Sequence, residues 1–120
     1  MDEFLSDQWF EDLNSRLATS PRAALPEGAR PCEVVFEVTE TPSHLPAAFT
    51  LSIVHDVAVV SPGSRDTADT TLRLGFDDAA ALAAGRLDSA CALREGRIKV
   101  RGDVNVLVPL VEWLHALLNP

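Results

Sequence analysis

Gly85-Arg-Leu-Asp-Ser-Ala-Cys-Ala-Leu-Arg-Glu-Gly96-Arg-Ile-Lys-Val-Arg-Gly102-Asp103, with the apolar run over 104–118 behind it, decides how this chain is read. Asp88 can cap a short helix over 89–95, and Gly96 can close it. Residues 97–101 alternate as a strand, with Ile98 and Val100 facing inward. Gly102 and Asp103 then turn the chain into a final helix, with Asp103 as its cap. In that helix Val104, Leu107, Val111, Leu114 and Leu118 form one stripe. Val106, Leu110, Trp113 and Leu117 form a second stripe beside it, and Val108 adds to the apolar surface. Only Asn105, Glu112 and His115 interrupt that surface, and Pro109 should kink the helix or cost it a hydrogen bond. A helix apolar over so much of its circumference needs cover on more than one side. A bound lipid, a partner subunit or a membrane surface would supply what one sheet and a few helices do not.

Upstream, residues 4–18 read as an amphipathic helix. Leu5, Trp9, Leu13 and Leu17 recur every four residues, and Phe10 widens the stripe. Ser6 is the expected N-cap, with Leu5 and Phe10 as a hydrophobic staple. Ser20-Pro21 ends the helix, and residues 20–31 form a loop. Four strands are expected over 32–39, 49–55, 57–61 and 68–75, each alternating apolar and polar. Their joins are short, which favours antiparallel hairpins. Asp77 is the expected cap of a helix over 79–84, closed by Gly85. All six glycines (28, 63, 75, 85, 96 and 102) fall at element boundaries.

Size and charge limit the classes that remain. A chain of 120 residues fits one domain over 1–120. A hydrophobic fraction of 47% is in the globular range. The formal net charge of −8 argues against nucleic acid and against more than transient contact with anionic membranes. The single lysine, Lys99, beside heavy alanine and arginine use suggests a GC-rich bacterial genome. The N-terminus has no basic, apolar leader and no run reaches membrane-spanning length, so a cytoplasmic location is expected.

The order of elements (helix, four strands, short helices, one strand, a final apolar helix) resembles the sterol-carrier-protein-2 (SCP2) sterol-transfer family. The stretch from Gly85 to Asp103 is similar to that family's Gly-Lys-Leu, short helix, Gly-Lys-Leu-Lys-Ile and Gly-Asn or Gly-Asp. Asp69-Thr70-Thr71-Leu72-Arg73-Leu74 resembles its last strand before the helices. The likeness covers roughly residues 4 to 118 and is strongest from about 69 onward. The family often carries Pro, Phe and Met in the short helix. Here Ser89 or Ala90, Leu93 and Arg94 stand at those positions, which alters the size and shape of any tunnel. The C-terminus lacks a peroxisomal tripeptide, so the resemblance implies a bacterial stand-alone member.

The resemblance implies an α+β fold with a five-stranded, mainly antiparallel sheet and helices packed on one face. A lipid, fatty-acyl or sterol-like ligand would sit in a tunnel between the layers, with transfer as a further step. The expected lining is Trp9, Leu13, Phe36, Leu72, Leu107, Leu110, Val111, Trp113, Leu114 and Leu117. Affinity would come from taking hydrocarbon out of water, on the order of 10 kcal/mol gross for a fatty acyl chain.

Sharper chemistry finds little support in the residues. No Gly-x-Ser-x-Gly, His-Glu-x-x-His or Gly-x-x-x-x-Gly-Lys is present, so no enzyme activity and no cofactor is expected. His44, His55 and His115 have no ligand spacing, and Cys32 and Cys91 form no Cys-x-x-Cys, so no metal is expected. Two buried thiols are the favoured reading of the cysteines, with a disulfide left open. Arg94, Arg97, Lys99 and Arg101 could dock anionic groups, but a charged cover for an edge strand is favoured. For Trp113, core packing and cavity lining weigh equally. The competing function is an interaction module in which the apolar last helix docks on a partner or a second copy, giving monomer or homodimer, with no cavity.

Overall fold

The computed structural model describes residues 4–19, 31–54, 57–84, 86–110 and 113. Helix α1 spans Asp7–Thr19 and is capped as its sequence requires. The Trp9 backbone N–H donates to Ser6 Oγ at 3.2 Å, and the Phe10 N–H to the Ser6 carbonyl at 3.1 Å. The flanking Leu5 and Phe10 are both buried, the arrangement of a hydrophobic staple. Leu5 holds φ at 70°, a left-handed conformation that costs a branched side chain, and its near-complete burial offsets that strain.

Five strands form one mixed sheet: β1 (Cys32–Thr39), β2 (Ala48–Val54), β3 (Val57–Pro62), β4 (Thr70–Gly75) and β5 (Lys99–Gly102), in the order β3-β2-β1-β4-β5. The first three are an antiparallel meander, and β5 runs antiparallel to β4. The expected third hairpin is not one. β4 lies beside β1 and parallel to it, with Val34 opposite Thr70 and Val38 opposite Leu74. The short join after β3 misled because length does not reveal direction. Residues 63–69 instead cross the outer face of the sheet. The chain is tied there by Thr50 Oγ1 donating to the Gly63 carbonyl at 2.8 Å and Thr67 Oγ1 donating to Glu33 Oε1 at 2.6 Å. This crossing accounts for the burial of Val35 and Thr50 on a face otherwise turned to solvent.

Helix α2 (Phe76–Ala83) follows β4 directly. Its N-cap is Gly75, not Asp77, and Asp77 lies inside the first turn, where its charge suits the helix dipole. Helix α3 (Ser89–Arg94) is short and begins after Asp88 as expected. The closing segment departs from the expected helix at its start. Asp103 is a cap, accepting from the Asn105 N–H at 2.9 Å, but what it caps is a 3-10 turn over Val104–Val106, followed by further turns to residue 110. Val104 and Val108, expected in the apolar stripes, are 52% and 72% exposed. Val106, Leu107, Leu110 and Trp113 turn inward and are buried. Pro109 lies in this stretch, where its missing N–H costs less than inside a regular helix.

One apolar cluster joins the inner sheet face to the helical layer. It includes Phe10 and Leu13 from α1, Val34, Leu51 and Ile53 from the sheet, Ala79 from α2, Ala92 from α3, and Leu107, Leu110 and Trp113 from the closing segment. Both sheet edges are guarded. The outward N–H and C=O of Val60 on β3 are both taken by the Asn14 amide: the Val60 N–H donates to Oδ1 at 2.7 Å, and Nδ2 donates to the carbonyl at 2.8 Å. At the other edge, β5 presents Lys99 and Arg101.

Gly102 is where β5 and β4 come closest. It holds φ at +98°, and a Cβ there would sit 2.5 Å from the Asp69 carbonyl oxygen. Gly102→Ala should destabilise the fold by about 2–3 kcal/mol, lowering Tm by roughly 10 °C in a thermal melt followed by circular dichroism. Asn14→Ala should cost about 1–2 kcal/mol in urea denaturation, because both Val60 backbone groups lose their partner.

Candidate functional site

The sheet register arranges the inner-face side chains in rows. Val60, Leu51, Val34 and Thr70 form one row, and all four are buried. Val38 and Leu74 form another, also buried. Between them lies the row Phe49, Phe36, Leu72 and Val100. It is entirely apolar, yet each of its members is only half-buried. Phe36 belongs to β1, the middle strand, so its partial exposure is not an edge effect. A half-buried apolar line therefore runs between two buried rows of the inner face.

One end of this line is aromatic. Phe36 stacks on Phe49 with ring centroids 4.6 Å apart and planes 7° from parallel. Phe49 also meets Trp9 edge-on at 5.6 Å and Phe10 at 6.1 Å. Phe4 joins Trp9 at 5.0 Å and Phe76 at 5.7 Å. All five phenylalanines of the chain and Trp9 therefore form one linked cluster, in which each ring pair adds about 0.5–1.5 kcal/mol beyond area burial.

Of the residues expected to line a site, seven belong to the core cluster or pack against it. Trp9, Phe36 and Leu72 are half-buried and packed against the core, and Leu13, Leu107, Leu110 and Trp113 are buried within it. Val111, Leu114 and Leu117 lie outside the described residues. Phe4, Phe49, Phe76 and Val100, which were not among the residues expected to line a site, also pack against the core. The alternation along their strands already pointed Phe49 and Val100 inward. Their adjacency to Phe36 and Leu72 depends on register, which one strand alone does not reveal.

Polar groups inside this layer are few. Thr50 and Thr70 are the buried polar residues among those described; Thr70 faces inward and its hydroxyl donates to the Asp103 carbonyl at 2.6 Å, whereas Thr50 lies on the outer face and donates to the Gly63 carbonyl at 2.8 Å. Trp113 is 6% exposed, and its indole Nε1–H is buried without a hydrogen-bond partner.

The departures in the short helix do not reach the interior. Leu93 and Arg94 are exposed, and Ala92 supplies the buried contact of α3. The side chains of Ser89 and Ala90 are outside those described. Cys32 is buried and Cys91 half-buried, where both were expected to be buried; they are thiols, and Arg94 Nη2 donates to Cys91 Sγ at 3.1 Å.

The basic cluster behaves as a charged cover. Arg97 pairs with Glu95 at 2.9 Å and Asp78 at 3.4 Å, and Arg101 faces Glu37 at 3.9 Å. Arg97 lies just before β5, not within it. An open cleft of about 340 Å³ lies among Thr39, Arg73, Leu74, Gly75, Arg97 and Lys99. Arg97, one of its cations, is already committed to two carboxylates. His44 is exposed, and His55 and His115 lie outside the described residues. Among the described residues, no helix is long and apolar enough to cross a membrane.

Comparison with known proteins agrees with this geometry. The model of the SCP-2 sterol transfer family matches residues 13–114. The fold is similar to the crystal structure of a sterol carrier protein 2, at 19% identity over 97% of this chain and 95% of that one, with a TM-score of 0.71. It is also similar to the solution structure of the sterol carrier protein domain 2 of Helicoverpa armigera, at 18% identity over 94% and 87% of the two chains, with a TM-score of 0.67. A third neighbour is palmitated SCP2L2 from Aedes aegypti, at 19% identity over 92% and 90%, with a TM-score of 0.59. Comparison with curated proteins finds no significant match. With the family pattern running over residues 13–114 and the same sheet-and-helix fold in its structural neighbours, this chain belongs to the SCP-2 sterol transfer family.

Proposed function

We propose that the chain, acting as one domain over 1–120, binds an elongated apolar ligand of the fatty-acyl or sterol-like class between its sheet and its helices. The observation that carries this reading is the half-buried row Phe49–Phe36–Leu72–Val100 running between two buried rows of the inner face. A folded domain gains little by leaving a central-strand phenylalanine partly wet. A ligand laid along the row removes that surface and its own from water together. At about 25 cal/mol per Å² of apolar surface buried, an acyl chain recovers several kcal/mol beyond the cost of ordering it. Trp9, Leu13, Leu107, Leu110 and Trp113 would wall the site. The family and the palmitated neighbour support the ligand class.

In this reading no residue performs chemistry. The protein is a cytoplasmic carrier, its affinity permissive because the lining offers shape and apolar area but few directional groups.

A second reading is motivated by Val104 and Val108, which both expose apolar surface on the closing segment. There the segment docks on a second copy. Size exclusion with light scattering separates the two: the carrier reading expects a monomer that Val108→Asp leaves unchanged.

The purified protein should release an acyl or sterol-like lipid on solvent extraction, read by mass spectrometry, and should bind a fluorescent fatty acid. Val100→Glu, which puts a carboxylate onto that row, should weaken binding at least tenfold, roughly the cost of burying a poorly paired charge. Val59→Glu, on the solvent side of the sheet, should leave it unchanged. A folded protein that takes up no lipid class would end this reading.

A further inference from the structure

We propose that the Trp113 indole N–H is the polar anchor of the apolar site, donating a hydrogen bond to a neutral oxygen of the bound lipid: a hydroxyl, an ester carbonyl or a protonated carboxyl. The inference rests on the ligand-binding reading above and adds to it a chemical preference. Its basis is the buried Nε1–H that has no partner. An unpaired donor held away from water is unfavourable, and native proteins rarely leave one. The same position could pack a phenylalanine at no such cost, so the indole nitrogen is the group that needs an explanation.

Nothing polar among the described buried side chains stands ready to take the N–H. Thr70 is committed to the Asp103 carbonyl, Thr50 lies on the opposite face of the sheet, and the core cluster to which Trp113 belongs is made of apolar side chains and the Cys32 thiol. The described residues supply no acceptor, and the proposal assigns that part to the bound lipid. A saturated hydrocarbon would bury the N–H permanently unsatisfied. A lipid with one uncharged oxygen satisfies it, and the bond also sets which end of the lipid lies beside the closing segment. A carboxylate suits the place less well, because one neutral donor does not compensate a buried charge.

The test uses two pyrene probes of equal chain length, pyrenyldodecanol and dodecylpyrene, which differ only in the terminal hydroxyl. The Trp113→Phe variant should bind pyrenyldodecanol about fivefold to tenfold more weakly than the parent protein, the loss of one buried hydrogen bond, and dodecylpyrene within twofold. In ¹⁵N–¹H spectra of the parent protein, the Trp113 indole signal should move downfield on adding pyrenyldodecanol and not on adding dodecylpyrene. The chain has two tryptophans, so Trp9→Phe assigns the signal even if Trp113→Phe does not fold. An equal loss for both probes, or an indole signal indifferent to the alcohol, overturns the anchor and leaves lipid binding intact. Binding of neither probe by the parent protein overturns lipid binding itself, and the anchor with it.

Discussion

The close approach of Gly102 to the Asp69 carbonyl holds the two halves of the structure together. At this point β5 leaves the sheet, and no side chain fits between the backbones. The contact is reinforced on every side. The Asp103 N–H donates to the Asp69 carbonyl at 3.0 Å, the Thr70 hydroxyl donates to the Asp103 carbonyl at 2.6 Å, and Asp69 both gives its N–H to and accepts an N–H from Glu33 of β1. Three strands are thereby registered at one level. The chain that emerges is aimed back across the inner face, so Val106, Leu107, Leu110 and Trp113 arrive over the sheet in sequence. A site between two layers needs its cover set at a definite height, and this junction sets it.

Much of the fold was legible in the residues. The cap at Ser6, the alternation in each strand and the turn at Gly102–Asp103 are local signals, and local signals survive without tertiary information. The path after β3 was not legible. Pro62-Gly63-Ser64 is as good a hairpin sequence as any, and what sends the chain across the sheet is the fit of residues 63–69 over Val35 and Thr50, which becomes defined only once β1 and β2 have paired. The start of the closing segment was misread for a related reason. Its apolar content was read as helix periodicity, but the first turns are 3-10 and turn structure, so Val104 and Val108 face solvent.

The site shows the same division. Inward-facing residues could be named strand by strand, and Trp9, Leu13, Phe36, Leu72, Leu107, Leu110 and Trp113 do gather in one cluster. What sequence could not reveal was the contrast between rows, because burial along a row is decided by what packs above it. A half-buried line is visible only between two buried ones. The residues along it belong to, or pack against, the same core cluster that stabilises the domain. The aromatic linkage through Phe49 gives that line a rigid end, since stacked and edge-on rings have few alternative packings.

The parallel pairing of β1 with β4 also has a kinetic meaning. Val34 and Thr70 are neighbours in space but far apart along the chain, whereas β1, β2 and β3 pair through near neighbours. Closing a long loop before any contact rewards it is slow. The meander, steadied by α1 through Asn14, is the natural first structure to form, and β4 and β5 join it afterwards as a second unit. Until they do, one flank of the central strand β1 is an open, hydrophobic edge. Assembly in that order would leave this edge bare for as long as the β1–β4 closure takes.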